Sequence, residues 1–545
     1  MERPLTRPRK RGEVKAAAKC DSPWFFPYDR PPMLNTSLIV ELLRSQPRLA
    51  FWVATLAQAA LWWLVPSLFY SSPPGELPLV LAIGHEFRLG SSFGPPLAFW
   101  AAEVAFDIVG APGVYLLAQA CIIFAYYGVF TLARAIVGTH HATFAILLMA
   151  GIFAFTAPTP NFGPAVLAIP FTVFAILNLW RAVGERRPVG WFLLALQLGL
   201  LLLTTYAGLA LTLAIVIFLA VTRRGRRALR SADPWLASII IVVVLFPHLI
   251  WLDLAGDGLP HNFGLPTRTN GSYPSELLAF IEVLIFTHAG LLVLVGLGRK
   301  WHFRSDEKVP VFMRSFTDPF GRRFVYFFAV APALIAALFG GLSGARQTSG
   351  TLAPYLVLSG LAVVVLAGNA IPWHRPRLLA IAWSLILAVP PLGAAAAIIV
   401  LPWLGVSGMD VARPAATMGR FFAENFERRT GTPLAIVAGE PGTAAFVALG
   451  APTRPSLYLD ATPDRTPWVT AEDVRRKGAV VVWPNDDTRA QVPADIATRF
   501  PGLVADVPRA FEFMVQGRLP LWRVGWGVVR PQVDAPKETP DAPKP

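Results

Sequence analysis

The sequence is poor in cysteine and in charge. Only two of its 545 residues are cysteines, Cys20 and Cys121, too few for a disulfide framework or a cysteine-based zinc site. Charged residues make up 15% of the chain, against about 25% in an ordinary soluble domain. That shortage excludes a soluble enzyme, a disordered chain and a coiled coil. Apolar and aromatic residues take the place of charge: 54% of the chain is hydrophobic, with 17 Trp and 37 Phe, a load suited to lipid interfaces. The net charge of +14 would point to nucleic acid in a soluble protein, but it is unevenly spread. Residues 1–404 carry 31 Lys+Arg against 18 Asp+Glu, and residues 405–545 carry 17 against 16. A basic, apolar part is followed by a nearly neutral one, and nucleic acid is not an expected partner.

A helix needs about 20 mostly apolar residues to cross a bilayer. Eleven runs are candidates, near 49–70, 112–137, 141–158, 162–181, 189–205, 206–222, 235–254, 277–297, 324–343, 353–372 and 378–404. The expected fold class is therefore a polytopic α-helical membrane protein with a C-terminal soluble α/β domain. With the N-terminus cytoplasmic, 28 of the 31 Lys+Arg of residues 1–404 fall on inner segments, and only Arg88, Arg268 and Arg346 fall outside. This asymmetry is the positive-inside pattern, and the inner arginines read as topology and lipid-headgroup contacts. The expected organisation is a basic, largely disordered cytoplasmic tail over 1–48, a transmembrane domain over 49–404, a periplasmic α/β domain over 405–531 and a disordered tail over 532–545. The first apolar run is too long and starts too late for a cleavable signal peptide. Short loops suit a bacterial inner membrane.

The outer loop, residues 71–111, concentrates ionisable groups: Glu76, His85, Glu86, Arg88, Glu103 and Asp107. Its segments 77–89 and 96–108 read as short helices at the membrane surface, with Glu103 and Asp107 sharing a helix face. Glu76 follows the first span by six residues. A carboxylate there is partly desolvated, a setting that suits a general base; the plainer role is a solvated acid or helix cap.

An acid after the first span is followed by Gly84-His85-Glu86-Phe87-Arg88-Leu89-Gly90, and then by Gly94-Pro95-Pro96-Leu97-Ala98-Phe99-Trp100. Asn161-Phe162 opens the fourth span, Leu203-Thr204-Thr205-Tyr206 lies between the fifth and sixth, and Phe246-Pro247-His248-Leu249-Ile250-Trp251 ends the seventh. In this order the motifs resemble the family 39 membrane glycosyltransferases, which include the protein O-mannosyltransferase and lipid A aminoarabinose transferase relatives. The resemblance covers roughly residues 50–370 and implies a GT-C fold. It also implies inverting transfer from a polyprenyl-phosphate sugar, undecaprenyl phosphate being the lipid in a bacterium, to an envelope glycolipid, other lipid or protein acceptor. The family's acid maps to Glu76. Three positions depart from its pattern: Glu76 replaces the usual Asp, Gly94 stands where the family has His, and Thr205 stands where it has Lys.

A developing phosphate charge needs cations, so Arg346 is the first candidate for the donor phosphate and Arg88 the second, with Glu86 as a partner that would make Arg88 structural. His85, Glu86, Asn161, Tyr206 and His248 are further substrate-site candidates, although Tyr206 also reads as an interface aromatic and His248 as a packed, hydrogen-bonded one. No metal-ligand spacing occurs, and neither a metal nor another cofactor is called for. Two alternatives stay open: a membrane transporter or flippase, although no internal repeat is seen, and a catalytically inactive relative.

In the second part, 411–430 reads as helix, 434–438 as strand, 442–449 as helix, 456–459 as strand, a capped helix starts at Thr470, and 479–483 and 519–529 read as strands. The alternation suggests a small doubly wound sheet. Gly439-Glu440-Pro441-Gly442, at a strand end, is a weak candidate ligand turn.

Overall fold

The structure, a computed structural model, describes residues 38–254, 273–298, 311–314, 316–343, 348–406, 409–459, 466–485, 487–489 and 491–532. The expectations for the basic tail before Leu38, for Arg268 and Arg346, and for the C-terminal tail after Gln532 fall outside these residues.

Among the described residues six helices are long and apolar enough to cross a membrane: Pro47–Phe69, Ala111–Val137, Pro164–Gly184, Asp233–Leu254, Pro319–Leu338 and Pro376–Leu404. Two helix pairs pass together but are bent, Leu278–Thr287 with Ala289–Gly298 by 56° and Ser349–Tyr355 with Ser359–Leu366 by 58°, each a broken span or a re-entrant loop. The remaining three expected spans are shorter helices, Thr139–Met149, Val189–Thr204 and Gly208–Val221, of 11, 16 and 14 residues. At 1.5 Å per residue the longest of these covers about 24 Å of a hydrocarbon core near 30 Å thick. Each of the eleven apolar runs thus holds helix among the described residues, and six to eight of these, counting each bent pair as one, have the length of a span. The 141–158 run stops early because Gly151 packs against Gly290 and its carbonyl accepts the Leu291 N–H at 2.9 Å.

The helices sort by burial. In the Pro164–Gly184 helix 83% of the apolar window is buried, against 11% in Asp233–Leu254. The first is the centre of the bundle and the second presents apolar side chains to lipid. Some buried polar groups inside the bundle are paired, as a medium without water favours. The Gln58 amide donates to the Phe155 carbonyl at 2.8 Å and lies 3.2 Å from the Tyr126 hydroxyl. The two bent pairs are joined at their breaks by His288 and Ser359, 3.0 Å apart, and Thr287 also bonds Ser349, the first residue of the second pair, at 2.9 Å.

At the far end of the bundle from the outer loop, strands β1 (Val311–Met313) and β2 (Ala370–Pro372) form a short antiparallel pair. The other sheet belongs to the C-terminal part: β3 (Ile436–Gly439), β4 (Ser456–Leu459), β5 (Ala479–Pro484), β6 (Val504–Phe511) and β7 (Trp522–Val529), in the order β4-β3-β5-β7-β6. Strands β4, β3 and β5 are parallel, whereas β7 and β6 are antiparallel additions. Helices Ala415–Thr430 and Pro441–Gly450 cover one face through Phe422, Phe426 and Val447, and helices Ala471–Lys477 and Ala494–Arg499 cover the other through Val474 and Ile496. The sheet is therefore covered on both faces but is only partly parallel.

The first helix of this part begins at Ala415 rather than Val411, because Arg413 before Pro414 is extended and a residue preceding proline avoids the helical region. Glu440 is an N-cap. Its carboxylate accepts the Gly442 and Thr443 N–H groups at 2.9 and 2.7 Å, so the strand-end turn fills its own anion-binding position rather than offering it to a ligand. Glu440→Ala is expected to lower the stability of this sheet domain by about 0.5–2 kcal/mol, read as a drop in its melting temperature in the full-length protein.

Candidate active site

The outer loop forms two helices, Leu77–Gly84 and Leu97–Val109. The first ends at Gly84, short of the expected Leu89, and Phe87 just beyond it takes φ 47°, incompatible with continued helix. The two helices touch closely: a Cβ on Gly84 would lie 2.4 Å from the Phe99 carbonyl oxygen, so only glycine fits there.

Three sets of contacts position this loop. First, the chain leaving the Pro47–Phe69 helix is tied to the segment entering the sheet domain. The Ser71 and Ser72 N–H groups donate to the Val411 carbonyl at 2.9 and 3.1 Å, and the Ser72 hydroxyl donates to the Asp410 carbonyl at 2.9 Å. Second, Ala82 joins the apolar core on one face of the sheet, and Leu79 and Phe93 pack against it. Third, Glu103 is fully buried and accepts Arg454 Nη2 on both carboxylate oxygens at 2.7 Å, and His85 Nδ1–H at 2.9 Å. Arg454, at φ 48°, also stacks over Phe106 at 4.8 Å. Asp107, read as sharing a helix face with Glu103, is exposed.

Glu76 stands between these anchors. Its side chain is exposed rather than partly desolvated, because it occupies the position before the Leu77–Gly84 helix and makes no cap hydrogen bond. Its backbone N–H donates to Asn161 Oδ1 at 3.1 Å. Gly75, at φ 54°, allows that approach; a Cβ there would lie 2.6 Å from Asn161 Nδ2. Two sequence candidates 85 residues apart thus share one corner.

A second pair is Tyr206 and His248. His248 Nδ1–H donates to the Leu89 carbonyl at 2.8 Å, which fixes the tautomer and leaves Nε2 to accept the Tyr206 hydroxyl at 2.9 Å. Trp251 stacks on His248 with ring centroids 5.6 Å apart, and Gly90 lies against Trp251 so closely that a Cβ would clash at 2.4 Å. These residues hold the 85–94 turn onto the bundle. Arg88 is exposed, and its guanidinium has no hydrogen-bond or ion-pair partner among the described residues. The expected Glu86–Arg88 pair does not form. Glu86 is half-buried instead, with Oε1 lacking a partner, while Arg88 is turned outward and its own carbonyl accepts Trp100 Nε1 at 3.0 Å. Among the described residues no three His, Cys, Asp or Glu side chains come together to hold a metal ion.

Sequence reading missed Arg454. Its partner Glu103 was visible as one acid in an acid-rich loop, but nothing local links the two across 351 residues.

Residues 94–251 match the family model described as dolichyl-phosphate-mannose-protein mannosyltransferase. Among solved structures, the chain is similar to ArnT from Cupriavidus metallidurans bound to undecaprenyl phosphate. The TM-score is 0.56 at 15% identity, covering 87% of this chain and 97% of that one. The apo form of the same protein gives a TM-score of 0.55 at 15% identity, covering 88% and 98%. The chain has the GT-C fold. No curated protein sequence matches the chain significantly. The family-model match to this GT-C chain begins at Gly94 and ends at Trp251, so it takes in the later motifs of the series and leaves out Gly84–Gly90. Glu76 lies outside it.

Within this GT-C chain the Glu103–Arg454 pair joins the helical bundle to the sheet domain. Arg454→Ala leaves a buried carboxylate with only His85 and is expected to cost about 3–5 kcal/mol. A double variant, Glu103→Leu with Arg454→Met, is expected to recover most of that loss. Thermal unfolding in detergent of the wild type, Glu103→Leu, Arg454→Met and the double variant measures the coupling, and additive losses would show that the pair does not act as a unit.

Proposed function

We propose that this protein transfers a sugar from a polyprenyl-phosphate sugar to a cell-envelope acceptor (lipid A or lipopolysaccharide, another lipid or a protein), on the periplasmic face of a bacterial inner membrane. The N-terminus would then be cytoplasmic and the sheet domain periplasmic. Support comes from the GT-C fold, the family-model match and the placement of Glu76. The observation that carries it is an exposed carboxylate held by its backbone on Asn161 in a loop fixed to both the bundle and the sheet domain.

In the proposed reaction Glu76 takes the proton of an acceptor hydroxyl. The oxygen attacks the anomeric carbon, the carbon–oxygen bond to the lipid phosphate breaks, and the polyprenyl phosphate leaves with the electron pair. A single attack from the opposite face inverts the anomeric centre. Arg88, unpaired among the described residues, would meet the departing phosphate together with Arg346. The sheet domain, lying beside the loop, would select the acceptor.

One observation favours a second reading, a lipid transporter. Two bent helix pairs break at neighbouring points and are bonded there through His288 and Ser359, and broken helices in the membrane are a feature of transporters.

The test is transfer by the purified protein in proteoliposomes, supplied with polyprenyl-phosphate sugars and envelope glycolipid, with mass spectrometry of the product. Glu76→Gln is expected to lower kcat by about 10²–10⁴ while the protein elutes and melts normally. Full transfer by that variant would remove the base assignment. Movement of the lipid-linked sugar across the bilayer without any transfer would favour the transporter. Comparing envelope glycolipids from a deletion strain would identify sugar and acceptor.

A further inference from the structure

At the end of the bundle away from the sheet domain lies a cavity of about 570 Å³, within the range of roughly 300–1,000 Å³ usual for ligand pockets. Its wall is almost wholly apolar and includes Ala54, Phe144, Leu147, Val363 and Leu379. One side is the β1–β2 pair: Ile371 and Pro372 line the cavity and pair with Phe312 and Val311. Phe312 packs edge-on against Phe144, with centroids 4.9 Å apart.

Arg314 follows β1 directly. Its Nη2 reaches the Val365 carbonyl at 3.5 Å, and Val365 sits between Val364 and Ala367, which line the cavity. Among the described residues, Arg314 Nε and Nη1 are buried without a partner. His141, one helical turn before Phe144, is 1% exposed, and its Nε2 also lacks a partner among those residues. Arg44 and Arg375, each next in sequence to the lining residues Leu43 and His374, are exposed. Among the described residues of the lining segments Glu41 is the only acid. Guanidinium N–H groups withdrawn from water without an acceptor are costly. The partner that best matches their fork is an oxyanion, and the adjoining space takes hydrocarbon rather than water.

We propose that this cavity seats an anionic diacyl phospholipid, its phosphate on Arg314 beside His141 and an acyl chain along Phe144, Leu147 and Val363. The site lies at the opposite end of the bundle from Glu76 and does not depend on the transfer reaction.

The full-length protein, delipidated in detergent, is offered equal amounts of phosphatidylglycerol and phosphatidylcholine, with undecaprenyl phosphate in a separate competition, and retained lipid is read by native mass spectrometry. Wild type is expected to prefer phosphatidylglycerol by about tenfold or more, as a charge-assisted contact allows. Arg314→Gln is expected to bring that preference below about twofold. Val363→Trp keeps the cation but fills the cavity, and is expected to lose both phospholipids; it also serves if Arg314→Gln does not fold. Equal retention of the two phospholipids, displacement by inorganic phosphate, preference for undecaprenyl phosphate, or unchanged retention in Val363→Trp would each overturn the proposal.

Discussion

Glu103 sits on a loop helix with none of its side chain exposed, and its charge is met by an arginine from a different part of the chain. A buried carboxylate cannot stay ionised at low cost without such partners. The helix Leu97–Val109 can therefore take its place only when Arg454 arrives with the sheet domain, and Arg454 in turn has its charge neutralised only there. The shared histidine extends the dependence to the 85–94 turn. With Ser71 and Ser72 bonded to the segment entering the sheet, the stretch from Ser71 to Val109 is gripped at both ends by a domain more than 300 residues later in the sequence. The position of Glu76 is thus a property of the two parts together, and neither part alone specifies it.

Inside the bundle a different constraint holds. Helices that face lipid need no partner for their apolar side chains, but their backbones must remain regular. The irregular stretches are accordingly found where other protein groups cover them. The breaks at Thr287–His288 and at Tyr355–Ser359 meet through the His288 imidazole and the Ser359 hydroxyl, and Tyr355 donates its hydroxyl to the Ala207 carbonyl at 2.9 Å, at the turn joining two short helices. The short helices and the bent pairs support one another through these contacts.

The sequence made the apolar helices legible because runs of that length have no other soluble or membrane solution. It also made the parallel strands β3, β4 and β5 legible, since they are short buried runs between helices. It hid β6. That strand is an edge strand carrying Pro508, and its register shifts between Asp506 and Arg509; a proline within a run argues against a strand unless it lies at an edge or a bulge, and only the structure shows the edge. Of the candidate site, the pairing of Asn161 with the Glu76 backbone and of Tyr206 with His248 joins residues the motif series had named separately. The Glu86–Arg88 pair was inferred from adjacency, but the left-handed Phe87 between them sends the two side chains apart. Arg454 left no local signal, because an ion pair between domains has no sequence period.

Gly94 and Thr205, the departures from the family pattern, have different physical causes. A Cβ at Gly94 would meet nothing within 4 Å, so space does not require glycine; its φ of 135° does, since that conformation is open to glycine and strained for other residues. The turn is held by the Ser91–Gly94 bridge, and restoring a histidine there would first have to change the backbone that carries Ser91 and Phe93. Thr205 is extended, and its hydroxyl accepts the Ala207 N–H at 3.2 Å, spending its polar group on the turn between two helices. Neither residue offers a cation. On the proposed reading, the charge that a His and a Lys would have shared must then come from guanidinium groups, which stay charged without depending on their surroundings. Arg88, outward-facing and unpaired among the described residues, would be the described residue to supply that charge, on the same turn that makes Gly94 obligatory.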